Sequence, residues 1–321
     1  MLKFIVRRLL LTLPQIVILS FIVFLLAQAM PGDALTGLID PNISAEAIAM
    51  QREALGLNNP WHVQYWDWFT GILQGDFGRS FRNQMPVLQV IGQRLYNTVG
   101  LSIMTLVFTY AIALPLGIIA GRFNSTWKDK LISGYSFFAL AMPSFTMGLL
   151  MLFFFGFNLG WFPTGGSVSN AASQAGGWTY IVSRFQHMFL PALSLAVITT
   201  TGVIQYIRSE IVDLEQREFI TTARAKGADE RRVYNKHVLR NSLLPVASFL
   251  GFQIVGVIGG AIFIENIFSF PGMGELMINS ITTRDFSVMT ALILMFGIAS
   301  ILGALLSDII LTLVDPRIRI K

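Results

Sequence analysis

TVGLSIMTLVFTYAIALPLGIIAG, residues 98–121, runs without a single charged side chain. A helix needs about 20 mostly apolar residues to cross the hydrocarbon of a bilayer, so this stretch reads as a transmembrane span. Working outward by the same measure, the other long gaps between charges fall at 9 to 32, 131 to 183, 185 to 207, 241 to 264 and 286 to 307. The gap from 131 to 183 is too long for one helix. Its apolar part ends at Phe157, before Trp161, Pro163, Gly165 and Gly166 signal a loop. The expectation is an all-α membrane protein with six transmembrane helices over 9–30, 98–121, 131–157, 187–207, 243–264 and 286–307. Outside them lie 1–8, 31–97, 158–186, 208–242, 265–285 and 308–321.

Composition agrees. Of 321 residues 54% are hydrophobic and 13% charged, too few charges to solvate a globule, where about 25% is usual. A soluble enzyme, a disordered chain and a nucleic-acid binder are disfavoured together, because the net charge is only +5. The chain has no Cys, and His62, His187 and His237 are scattered, so no thiolate or His-based metal cluster is expected.

The basic residues sort by side. Seventeen of the 23 Lys and Arg fall in 1–8, the loop after 121, the 208–242 segment and the tail. The other six are Arg52, Arg79, Arg82, Arg94, Arg184 and Arg284. The positive-inside bias therefore puts both termini in the cytoplasm. Lys3, Arg7, Arg8 and Ala27-Gln28-Ala29 imitate a cleavable signal peptide, but the apolar run from Leu9 to Leu26 exceeds the 7–15 residues of a signal core. It reads as an uncleaved first span.

No Asp, Glu, Lys or Arg lies inside the predicted spans, which argues against a proton- or sodium-coupled carrier. Glu265 and Asp308 sit at helix ends and read as solvated or interfacial charges. Gln28, Thr105, Thr109, Ser133, Ser136, Ser144, Thr199, Thr200, Thr201, Gln205 and Gln253 read mostly as hydrogen bonds between helices. Met142, Pro143, Ser144 and Gln253 are the candidates for a translocation path. In the 31–97 loop, Trp61, Tyr65, Trp66, Trp68 and Phe69 read as anchors at the headgroup level. Neither His-Glu-x-x-His nor Gly-x-Ser-x-Gly occurs, and no Lys follows a Gly, which excludes the phosphate-cradling Gly-Lys-Ser/Thr loop. Nucleotide energy would have to come from another polypeptide.

Residues 208–240 concentrate eight Lys/Arg and six Asp/Glu, with Ile211, Leu214, Phe219, Ile220, Val233, Tyr234 and Val238 recurring between them. That spacing suits short amphipathic helices, interrupted by Gly227. Thr222, Ala223, Arg224 and Ala225 precede the glycine, and small side chains there would let a partner approach the backbone. Lys226 adjoins it, and Ala228, Asp229 and Glu230 open the next helix, with acids at its positive end. A lipid-headgroup-binding loop is the alternative reading of the same charges.

EFITTARAKG at residues 218–227, followed by Arg231, Arg232, Val233, His237, Leu239, Arg240, Asn241, Leu244 and Pro245, resembles the cytoplasmic EAA loop of ABC importer permeases, in the version of the peptide and nickel branch. Thr221-Thr222-Ala223 stands where Glu-Ala-Ala is usual, and Leu239-Arg240 where Leu-Pro is usual; both departures resemble that branch. Pro31-Gly32-Asp33, Leu55-Gly56-Leu57, Pro60, Gln64-Tyr65, GDFGRS at 75–80, Pro86-Val87, Asn97-Thr98, PGMG at 271–274 and Asp315-Pro316-Arg317 extend the likeness to the B-type subunit of oligopeptide and dipeptide permeases. The resemblance implies a type I ABC importer permease (MetI-like) fold in a bacterial inner membrane. It implies a heterodimer with a second permease, two ATPase subunits that carry ATP and Mg, and an extracytoplasmic peptide-binding protein. This chain would bind no cofactor itself. Residues Ala223 to Asp229 would form a short coupling helix in a cleft of one ATPase. Nickel, glutathione or another small solute is the alternative cargo, and an ion-coupled carrier the alternative class.

Overall fold

The structure, a computed structural model, describes residues 2–29, 45–54, 56–243 and 261–314. Every regular element among the described residues is helical. They are α1 (Leu2–Ala29), α2 (Ala45–Ala54), α3 (Trp61–Leu73), α4 (Val87–Arg122), α5 (Trp127–Ala141) and α6 (Ser144–Met151), which continues as a π-helical stretch over Leu152–Asn158. Then come α7 (Asn170–Ala175), α8 (Gly177–Glu215), α9 (Glu218–Ala225) and α10 (Glu230–Arg232), itself continued by a π-helical stretch over Val233–Leu239. Last are α11 (Ile262–Ile267), α12 (Met273–Thr282) and α13 (Phe286–Val314).

Four helices are long and apolar enough to cross a membrane, over Val6–Ala29, Val87–Arg122, Gly177–Glu215 and Phe286–Ile310. Trp127–Ala141 and Ser144–Asn158 pass the same test only together, bent by 103°. The single helix expected over 131–157 is thus two. Pro143 has no amide hydrogen to donate and holds Met142 extended, at φ −84° and ψ 119°, so the helix ends at Ala141. The expected fifth span, 243–264, lies outside the described residues for 244–260, and Gln253 with it. Helices α4 and α8 overrun the stretches marked by charge gaps, because a gap measures what hydrocarbon tolerates and not where a helix stops. The 39 residues of α8 extend about 58 Å, against about 30 Å of hydrocarbon.

Helices α4 and α8 run side by side in the same direction. Gly100 meets Arg184 and Met188, Gly117 meets Ile204 and Ile207, and Gly121 meets Ile211. A Cβ on Gly117 would lie 2.9 Å from that of Ile207, and one on Gly121 2.7 Å from that of Ile211. With Ala113, these residues form a stripe of small side chains every fourth position, the spacing that lets membrane helices approach closely. Against it packs a core of Ile204, Ile207 and Ile211. Helix α1 lies antiparallel to α13: Leu19 fills the space over Gly297, and Arg8 pairs with Asp308 at 2.9 Å. Asp308 is therefore ion-paired and keeps 27% of its side chain exposed. The start of α1 and the ends of α4, α8 and α13 share one end of the bundle, the basic end.

At the far end, α3 is clamped on α1. Tyr65 packs edge-on against Phe21 and Phe24 at 5.3 and 5.4 Å, Trp68 packs on Phe24, and Ser20 and Gln28 of α1 bond Tyr65 and Gln64. Tyr65 and Trp68 thus join two helices, as does Trp61, which stays exposed but has its ring 6.2 Å from that of Phe21, whereas Trp66 is exposed. Glu265 also corrects its sequence reading, being fully buried. Its Oε1 accepts the Thr98 hydroxyl at 2.7 Å, and its Oε2 accepts the amides of Gly274 at 2.7 Å and Glu275 at 3.2 Å. Burial pushes its carboxyl above the ordinary value, although these three donors pull the other way. A side chain on Gly272 would collide with this carboxylate, and Asn97 donates to the carbonyl of Pro271 at 2.8 Å. The Asn97-Thr98 and PGMG motifs are thus two sides of one junction.

Of the neutral polar groups in the spans, Thr109 with Thr199, and Tyr135 with Thr200, do bond between helices. Thr105 and Ser136 instead bond carbonyls one turn back in their own helices.

Candidate functional site: the polar loop at the basic end

Helix α8 carries the chain beyond the bundle and stops at Glu215, and α9 begins three residues later. Ile220 of α9 is fully buried, and Val233, Tyr234 and Val238 of the following stretch are buried with it. All four join the core made by Ala113 and Ala120 of α4 and Ile204, Ile207 and Ile211 of α8. Tyr234 donates its hydroxyl to the carbonyl of Ile118 at 3.3 Å, and the Arg122 guanidinium lies 4.9 Å over its ring. Burial pushes the Tyr234 phenol up to about 12. The loop is therefore seated on the ends of α4 and α8 and has a fixed shape.

The turn after α9 is a Schellman motif. The Gly227 amide donates to the carbonyl of Arg224 at 2.9 Å, and that of Ala228 to the carbonyl of Ala223 at 3.2 Å. Gly227 takes φ +76°, which a Cβ would oppose, and Ala223 and Ala228 close the motif against the core below. Asp229 caps α10, accepting from the Arg231 amide at 3.2 Å. Arg224 reaches across the turn to Glu230, at 2.6 and 3.3 Å. The pair holds the Glu230 carboxyl below its ordinary value and the Arg224 guanidinium above its own.

The residues predicted for coupling are thus gathered in one knuckle, with two differences. The helix expected over Ala223 to Asp229 is instead the last turn of α9, a glycine turn and a cap. Ala223 faces this chain's own core, so the small side chain presented outward is that of Ala225. Thr222, Arg224, Ala225, Lys226, Gly227 and Asp229 are exposed. The outward face is a short, mixed-charge ridge.

The candidates for a translocation path divide. Met142 and Ser144 are half-buried and Pro143 is exposed at the 103° bend, while Gln253 lies outside the described residues. Sequence reasoning missed the Asp129–Arg208 pair, which ties α5 to α8 just above the knuckle. Arg208 donates Nε to Oδ1 at 2.6 Å and Nη2 to Oδ2 at 2.8 Å. Its signal was an acid just ahead of an apolar run.

Two family models match the chain. Residues 113–320 match the binding-protein-dependent transport system inner membrane component, and residues 1–102 the N-terminal part of such membrane components. The oligopeptide transport system permease protein AppB of Bacillus subtilis is 38% identical over 319 residues, 99% of either chain. The glutathione transport system permease protein GsiC is 35% identical in Salmonella typhimurium and 34% in Escherichia coli K12, each over the whole of both chains. Among solved structures, a chain of the inward-facing MetNI methionine ABC transporter matches with TM-score 0.57 at 13% identity, over 71% of this chain and 97% of that one. At that identity the likeness speaks for the fold.

Proposed function

Because the chain belongs to the family of binding-protein-dependent transport inner-membrane components, and so is a multi-pass permease subunit of an ABC importer, we propose that its 222–229 knuckle is the seat of a partner ATPase. The observation that carries this reading is the knuckle's construction: an exposed ridge whose back is packed on the ends of α4 and α8. A push on such a ridge displaces two spans as a body, the kind of rigid motion by which switching transitions are built.

In this reading the basic end is cytoplasmic, both termini lie there, and the remaining span runs over 243–264. The chain pairs with a second, related permease in a bacterial inner membrane. Two ATPase subunits hold ATP and Mg, and an extracytoplasmic binding protein delivers the cargo. ATP-driven closure of the ATPases turns the spans and opens the path past Met142, Pro143, Ser144 and Gln253. The chain itself performs no catalysis. The cargo is an oligopeptide or dipeptide, by likeness to AppB. Glutathione is the second reading, favoured by the nearly equal identity to GsiC. Uptake into proteoliposomes holding the whole assembly tests both. Vanadate stops it and an uncoupler does not; the reverse pattern overturns the ABC reading. Competition by dipeptides against competition by glutathione decides the cargo.

A further inference from the structure

The Asp129 carboxylate is almost wholly buried, at 5% side-chain exposure, and Arg208 holds both its oxygens through the Nε and Nη2 edge of its guanidinium. The same Arg208 donates to Asn124 Oδ1 at 3.0 Å, while the Ser125 amide and the Ser133 hydroxyl donate to Asp129 at 2.8 and 3.2 Å. Further along, Tyr135 donates to the carbonyl of Val197 at 3.1 Å and meets the Thr200 hydroxyl at 2.9 Å; Thr201 donates to the carbonyl of Ser136 at 3.3 Å. Helix α5 is thus fastened to α8 from its first turn to its middle. The hydrogen bonds to α8 end at Ser136, and the chain then turns by 103° into α6, which meets α8 by packing alone. Arg208 itself lies seven residues, about 10 Å of helix, from the end of α8.

We propose that the Asp129–Arg208 pair is a strut that makes α5 travel with α8, so that Met142–Pro143 is the hinge at which a displacement of the knuckle re-aims α6. This rests on the coupling reading above. A bidentate pair with a buried carboxylate suits the task, because its two parallel hydrogen bonds fix geometry as well as distance, while the guanidinium stays 28% exposed.

The chain contains no Cys, so spin labels can be placed on exposed Lys130→Cys and Arg217→Cys in the assembled transporter. The strut predicts one distance for this pair in the nucleotide-free and vanadate-trapped states, while the pair Arg217→Cys and Leu306→Cys changes its distance. A change in the first pair overturns the strut alone; no change in either overturns the coupling reading and the strut with it. Asp129→Asn should lower uptake per ATP hydrolysed roughly two- to thirty-fold, the range over which changes along a coupling path act. Exchange of the two charges, Asp129→Arg with Arg208→Asp, should recover part of that loss. An unchanged ratio in Asp129→Asn contradicts the strut, as does a charge exchange no better than either single variant.

Discussion

Thr98 and Glu265 are 167 residues apart in the chain and share a hydrogen bond of 2.7 Å inside the far end of the bundle. Thr98 also accepts the Met273 amide at 2.8 Å, so one hydroxyl joins the end of one segment to the start of another. Replacing Glu265 by Ala strands the Thr98 hydroxyl and two amides, at about 1–3 kcal/mol for each buried donor left unmade. Glu265→Ala should lower the melting temperature of the purified protein far more than Glu265→Gln, which keeps one acceptor oxygen. Because burial raises this carboxyl, its contribution is fully present below the ordinary value of 4.5 and is lost as pH rises through the raised value. Melting measured against pH should therefore show a stabilisation on mild acidification that Glu265→Gln abolishes.

That junction was illegible in the sequence for a physical reason. A carboxylate at the end of an apolar run is solvated unless other segments converge on it, and only the fold brings residues 98 and 272–275 to Glu265. Four of the expected spans were legible as long apolar helices, because hydrocarbon excludes charge irrespective of tertiary context. Gly227 was legible too, since a residue without a Cβ best suits the positive φ of its place after α9. The bend at Pro143 was written in the sequence, yet counting charges overlooks a proline that removes an amide without adding a charge. The inward aim of Ala223 depends on which face of α9 meets Ile211, which no local pattern discloses.

The α4–α8 seam predicts a contrast among glycines. Gly117→Val and Gly121→Val force a side chain into Ile207 and Ile211 and should destabilise by about 1–3 kcal/mol, the usual penalty of overpacking. Gly134→Ala and Gly202→Ala meet nothing within 4 Å and should be neutral or mildly stabilising, by up to about 1 kcal/mol. Thermal melts of the four variants check the ordering.

At the knuckle, Gly227→Val opposes the φ of +76°, a strain of about 1–2 kcal/mol for a residue with a Cβ. Gly227→Asn should be tolerated better, because Asn is the next residue to enter that region. Transport-linked ATP hydrolysis should fall in the order wild type, Asn, Val, with membrane insertion equal in all three.

The Arg224–Glu230 pair should matter little to stability. Its side chains are 43% and 69% exposed, so water and salt screen it. Glu230→Gln should melt within error of the parent protein at physiological salt.

The most direct test of the central claim uses the absence of native Cys. A single Ala225→Cys, placed on the outward ridge, should crosslink to an ATPase subunit in the assembled transporter and be protected from a membrane-impermeant thiol reagent by that subunit. Ala225→Cys that never captures an ATPase subunit and stays equally reactive with and without it would contradict the account.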